Sequence, residues 1–189
     1  ASRGMEFNAW SAGNPPEHET ILPFTRIMGG GFDYTPGIFE TRMNVHDKNK
    51  KEIVHTTVAK QLALYVTLYS PFQMAADLPE IYEKRMDVFQ FIKDVPVDWQ
   101  DTRVLNAEVG DYVSIARKDK FSQNWFIGSI TDEKARKFEF KLDFLDEGAV
   151  YEASLYEDGE NAHWQNNPYP VKISKRKIKK GDVLTVNLA

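Results

Sequence analysis

The hydrophobic pattern changes period near residue 100, and this change constrains the fold more than any other feature. Upstream, Val58, Leu62, Tyr65, Val66 and Tyr69 recur at helical spacing. Downstream, Phe138, Phe140, Leu142 and Phe144 alternate with Glu139, Lys141 and Asp143. The same period of two runs through Tyr151, Ala153 and Leu155, through Val171 and Ile173, and through Leu184, Val186 and Leu188. Tyr112 to Arg117 and Trp125 to Ile130 read as further strands, and Asp158-Gly159 and Gly181-Asp182 as turns. Short alternating strands at this spacing predict an antiparallel β-sandwich over 99–189. The boundary falls at Pro96-Val97-Asp98-Trp99.

Residues 1–98 read as α/β. A helix is predicted from Thr56 or Thr57 to Ser70-Pro71, then a short strand over Phe72 to Ala76. Asp77 and Glu80 have the spacing of a capping box, and the helix behind them carries Ile81, Val88, Phe89 and Ile92 on one face. Upstream, Gly4 to Phe7 reads as a strand end, Glu17 to Met28 as a helix, and Phe32-Asp33-Tyr34 as a strand ending at Pro36-Gly37. About three βα units are too few to close a barrel of eight. Either the sheet is a different, open one, or the rest of a barrel precedes Ala1. In the second case the apolar faces of Val58 to Tyr69 and of Phe32 and Tyr34 are expected to lack a partner sheet and to stay wet.

Composition removes several functions. Lys and Arg number 24 and Asp and Glu 28, a net charge of -4, and this mildly acidic balance argues against a nucleic-acid-binding protein, which needs a basic face. There is no cysteine, hence no disulfide scaffold, thiolate metal site or Cys nucleophile. No window approaches the ~20 apolar residues of a membrane helix. His46, His55 and His163 have no metal-binding spacing. The basic run at Lys175-Arg176-Lys177 and Lys179-Lys180 reads as a solvated strand edge.

Residues 4–40 are where chemistry is concentrated. Met5, Phe7, Trp10, Phe24, Phe32, Tyr34 and Phe39 stand among Glu6, Asn8, Glu17, His18, Glu19 and Asp33. Rings stack on the apolar faces of pyranoses, while carboxylates bind hydroxyls or transfer protons. A core strand followed by a polar loop has the same composition, and the pattern alone does not separate the two. Glu17 and His18 either bind sugar hydroxyls or cap a helix. Asp33 either binds substrate or holds the Pro36-Gly37 turn. Trp10 is a stacking platform or part of the core.

Several stretches resemble glycoside hydrolase family 97: Gly4 to Trp10, Asn14-Pro15-Pro16-Glu17-His18, Leu22-Pro23-Phe24-Thr25-Arg26 and Asp33-Tyr34-Thr35-Pro36-Gly37. Gln73 to Asp77 and Trp125 to Thr131 also fit. The resemblance implies the last units of a (β/α)8 barrel followed by a C-terminal β-sandwich. It implies hydrolysis of α-glycosidic bonds in oligosaccharides, α-glucosides before α-galactosides, in the bacterial periplasm or outside the cell. It assigns Glu6 as general acid, and as a residue at the calcium ion of the active site. Strand-end placement and the apolar neighbours Met5, Phe7 and Trp10 suit a carboxyl that holds a proton near neutrality. The base or nucleophile, and a further calcium-binding Glu, would lie upstream of Ala1 in the missing N-terminal part. A non-catalytic carbohydrate-binding or interaction fragment is the alternative.

Overall fold

In the computed structural model, residues 14–189 are described. Among the described residues four α-helices come first: α1 His18–Thr25, α2 Val58–Thr67, α3 Pro79–Glu83 and α4 Met86–Asp94. Seven strands follow: β1 Trp99–Glu108, β2 Tyr112–Asp119, β3 Trp125–Thr131, β4 Arg136–Lys141, β5 Val150–Asp158, β6 Val171–Lys179 and β7 Val183–Leu188. All strand pairs are antiparallel, in a sheet of order β1-β2-β3 and two ribbons, β4-β7 and β5-β6. Leu142, Leu145 and Leu184 form a core onto which Trp125 of β3, Tyr151 and Leu155 of β5 and Phe144 of the β4–β5 connection pack. The strands expected from period-two alternation are present.

The helix at the centre is α2. Thr57 caps it by accepting from Lys60 N at 3.1 Å. Its turns are buried almost all the way round, as expected of a helix enclosed by protein. Val58 and Leu62 pack with Phe39, Tyr82 and Val88. Tyr65 and Val66 pack with Val95 and the half-buried Phe91, Trp99 and Phe126. Leu64 and Leu68 join Leu22, Phe32 and Tyr34 to Val113, Ile115 and Ile130 of the sandwich. The apolar faces expected to stay wet are therefore covered: Val58 and Phe32 are 0% exposed and Tyr65 1%. Their cover among the described residues is the sandwich, the other helices and Phe39, not a parallel sheet. At Gly128 of β3 an added Cβ would lie 2.7 Å from Ala63 O, so the strand rests directly on the helix backbone.

Other expectations change. Phe72 to Ala76 is not a strand: Ala76 N donates to Pro36 O at 3.0 Å, and a strand needs a continuous ladder. The described residues contain no parallel strand pair. The helix expected after Asp77 breaks at Lys84-Arg85 into α3 and α4. Asp77 is not its cap, since Leu78 holds that position. Asp77 Oδ2 instead accepts from Phe39 N at 2.8 Å and Glu40 N at 2.7 Å, clamping a distant turn. β1 went unseen in the sequence because it pairs on one side only and its register shifts twice, which blurs its alternation.

Candidate functional site

Glu17 occupies the N-cap position of α1, yet its side chain makes no cap bond. His18 N is satisfied by Pro15 O at 3.0 Å, and Thr20 donates to Glu17 O through N and Oγ1 at 3.0 and 2.6 Å. The backbone thus closes the turn, and the Glu17 carboxylate stays exposed. His18 is half-buried, and its Nε2 is buried with no hydrogen-bond partner among the described residues.

Glu19, which the sequence shows only as one of the carboxylates of 4–40, and Lys60, which it did not single out at all, hold this loop. Lys60 Nζ lies 2.8 Å from Glu19 Oε2, and both side chains are buried. The same ammonium donates to Pro16 O at 2.7 Å and to Thr131 O at 3.0 Å. Tyr34 OH donates to Glu19 Oε1 at 3.3 Å. These contacts bring the start of α1, the first turn of α2, the 32–34 segment and the end of β3 to one point. A signal was available: Lys60 is the one charged residue of α2, and a lone charge in a buried helix needs a partner.

Asp33 sits between Phe32 and Tyr34, whose rings stack at 5.5 Å and are buried. Side chains alternate along an extended segment, so Asp33 faces away from that core. Its Oδ1 is buried without a partner among the described residues. It does not brace the turn ahead of it. Gln61 Oε1 does so, accepting from Gly37 N and Ile38 N at 2.9 and 3.3 Å, and Tyr65 and Tyr82 donate to Pro36 O and Gly37 O. Gly37 is required there, at φ 91° and with no room for a Cβ beside the Tyr65 hydroxyl. His18 and Asp33 share this feature with Thr41, Asn106, Trp125 and Asp158, and a buried polar atom of this kind calls for a water, an ion or a ligand as its partner.

Glu6 and Trp10 lie outside the described residues. Among the described residues no group of three His, Asp or Glu side chains gathers, so they do not by themselves fit a calcium ion. His55 and His163 flank Trp164. A cleft of about 510 Å³ opens instead between α2 and the sandwich, with Lys60, Trp125, Phe144, Tyr151 and Asp158 on its walls. Burial pushes the Asp158 carboxyl above the usual carboxylate range, against the pull of Thr57 and Ala189 N.

Residues 98–189 match the family region described as "Glycosyl-hydrolase 97 C-terminal, oligomerisation". The chain is also 34% identical over 190 residues to the retaining alpha-galactosidase of Bacteroides thetaiotaomicron, covering 98% of this chain. The chain belongs to glycoside hydrolase family 97. It spans 28% of that relative's length. A family 97 enzyme from Pseudoalteromonas sp. strain K8 is similar in structure. In complex with panose it matches 99% of this chain and 29% of its own at TM-score 0.90 and 52% identity. In complex with acarbose the identity is 53%. A beta-arabinopyranosidase at TM-score 0.74 and 22% identity shares the fold. The region matched by the family 97 description begins beside Trp99, where β1 starts.

Proposed function

We propose that the protein to which this chain belongs is a periplasmic or secreted glycosidase that cleaves α-glycosidic bonds in oligosaccharides, α-glucosides in preference to α-galactosides. The observation that carries this reading is the likeness to the family 97 enzyme bound to panose, a glucose oligosaccharide, over 99% of the chain. The retaining alpha-galactosidase is less similar, at 34% identity. In this reading residues 1–98 adjoin the end of a (β/α)8 barrel, and the described part of them, 14–98, supplies helices and no strand of its sheet. Asp33 lies on the side away from the core that Phe32 and Tyr34 share with α1, α2 and the sandwich, where a substrate is free to reach it.

In this reading Glu6 protonates the leaving oxygen, and a carboxylate from upstream is the base or nucleophile. Glu17, His18 and Asp33 bind sugar hydroxyls, and Trp10 stacks on a pyranose ring. The orphaned His18 Nε2 and Asp33 Oδ1 support those assignments. A calcium ion would rest on Glu6 and upstream carboxylates.

The test is Glu6→Gln in the full-length protein. General acid catalysis contributes about 10²–10⁴-fold, so turnover should fall by that order on a disaccharide and far less on a nitrophenyl glycoside, whose leaving group needs no proton. Equal losses on both would overturn the role of Glu6. Rates on nitrophenyl α-glucoside and α-galactoside decide the sugar.

A further inference from the structure

The connection between β5 and β6 differs in chemistry from the rest of the surface. Residues 161–170 contain no Asp, Glu, Lys or Arg, in a chain that is 28% charged. Their place is taken by His163, Trp164 and the side-chain amides of Asn161, Gln165, Asn166 and Asn167.

The loop is held in one shape. His163 N donates to Asn167 O at 2.9 Å, and Asn167 N returns the bond to His163 O at 3.0 Å. Asn167 Nδ2 donates to Asn161 O at 3.0 Å. His163 Nδ1 accepts from Gln165 N at 3.1 Å and Asn166 N at 3.4 Å. Asn161 sits at φ 57°, a left-handed conformation that these bonds hold. The Trp164 ring lies nearly parallel to His163 at 5.6 Å and edge-on to His55 at 5.2 Å. Asn161, Gln165 and Asn166 are exposed around it.

Its location ties it to the candidate site. Val58 N, at the start of α2, donates to Pro168 O at 2.9 Å. Lys60, in the same turn, donates to Pro16 O on the way to Glu17 and His18. Tyr169 OH donates to Glu40 Oε1 at 2.6 Å. The loop and the Glu17–His18 segment therefore meet the same end of one helix.

We propose that residues 161–167 form a binding site for a neutral oligosaccharide, with the Trp164 and His163 rings as the stacking surface and the amides of Asn161, Gln165 and Asn166 as partners for hydroxyls. Aromatic rings match the apolar face of a pyranose, and amides both donate to and accept from its hydroxyls. Within residues 161–167 a charged ligand finds no counter-charge; the charges close by are Glu160, which precedes them, and Arg42, which donates to Asn166 O at 3.5 Å. The choice of a sugar rests on the glycosidase reading; the site's own task is to hold the distal part of a chain too long for the catalytic centre.

The experiment titrates maltoheptaose and stachyose into the full-length protein, following tryptophan fluorescence, and measures kcat/KM on the same sugars and on nitrophenyl α-glucoside and α-galactoside. Trp164→Ala and the double variant Gln165→Ala/Asn166→Ala are compared with wild type. The double variant alters exposed side chains alone, so it carries the test should Trp164→Ala fail to fold. Affinity for the preferred oligosaccharide should fall about tenfold in either variant, with rates on the nitrophenyl glycosides unchanged. Unchanged oligosaccharide affinity in the folded double variant overturns the site, whatever the enzyme hydrolyses. Lost affinity in a protein that cleaves none of these glycosides supports the site and overturns the glycosidase reading instead.

Discussion

Lys60 commits its ammonium to three partners, Glu19, Pro16 O and Thr131 O, drawn from both halves of the chain. Replacing it by Met leaves the Glu19 carboxylate buried without its cation. Breaking a buried pair in this way costs about 3–5 kcal/mol, so Lys60→Met should lower the urea-unfolding free energy by that amount. The double variant Lys60→Met/Glu19→Leu should recover part of the loss; no recovery would show that the ion pair is not the cause. Asp158 has the opposite problem, a carboxyl whose neutral form is favoured by burial. Its pKa is raised on folding, so it binds its proton more tightly folded than unfolded. The stability this contributes is fully present below the ordinary carboxylate range and is lost as pH rises through the raised value. Asp158→Asn should therefore unfold at higher urea than wild type at neutral pH, with the difference shrinking toward about pH 4. A variant weaker than wild type at pH 7 would refute this. Neither role was legible in the residue alone, because each depends on neighbours distant in sequence.

At the scale of elements, β3 on α2 is the most extensive contact between the helical and strand regions. A Cβ at Gly128 would meet Ala63 O at 2.7 Å and Val66 Cβ at 2.9 Å. Backbone cannot swing aside as a side chain does, so Gly128→Val should destabilise by about 1–3 kcal/mol or more, read from thermal unfolding. An unchanged melting temperature would mean that β3 and α2 are free to separate. The elements that sequence located well were those whose pattern is local and strong. α2 begins at its expected cap, Thr57, and β5 pairs along its whole length with β6. The elements it missed depend on something outside themselves. Phe72 to Ala76 has strand composition but no ladder, and Asp77 has cap spacing but serves the Phe39-Glu40 backbone. The polar outer strand β1 takes its conformation from β2.

For the whole molecule, the change of pattern near residue 100 divides the sequence but not the packing. Leu22, Phe32, Tyr34, Leu64 and Leu68 share one core with Val113, Ile115 and Ile130. Residues 99–189 expressed alone would bare those last three side chains, at a cost of about 1.5–3 kcal/mol each. The isolated piece should melt well below the 189-residue chain and bind an apolar dye; equal melting temperatures would show that the strand region needs nothing from α2. The sequence by itself determined the helical and strand periods, where they switch, and the family motifs around Glu6, Glu17 and Asp33, because alternation and motif are written in neighbouring residues. The tertiary structure alone decided that Lys60 and Glu19 are buried together, that Gln61 rather than Asp33 braces the Pro36-Gly37 turn, and that Trp164 is held beside His55, since burial and pairing are set by segments that meet only when the chain folds.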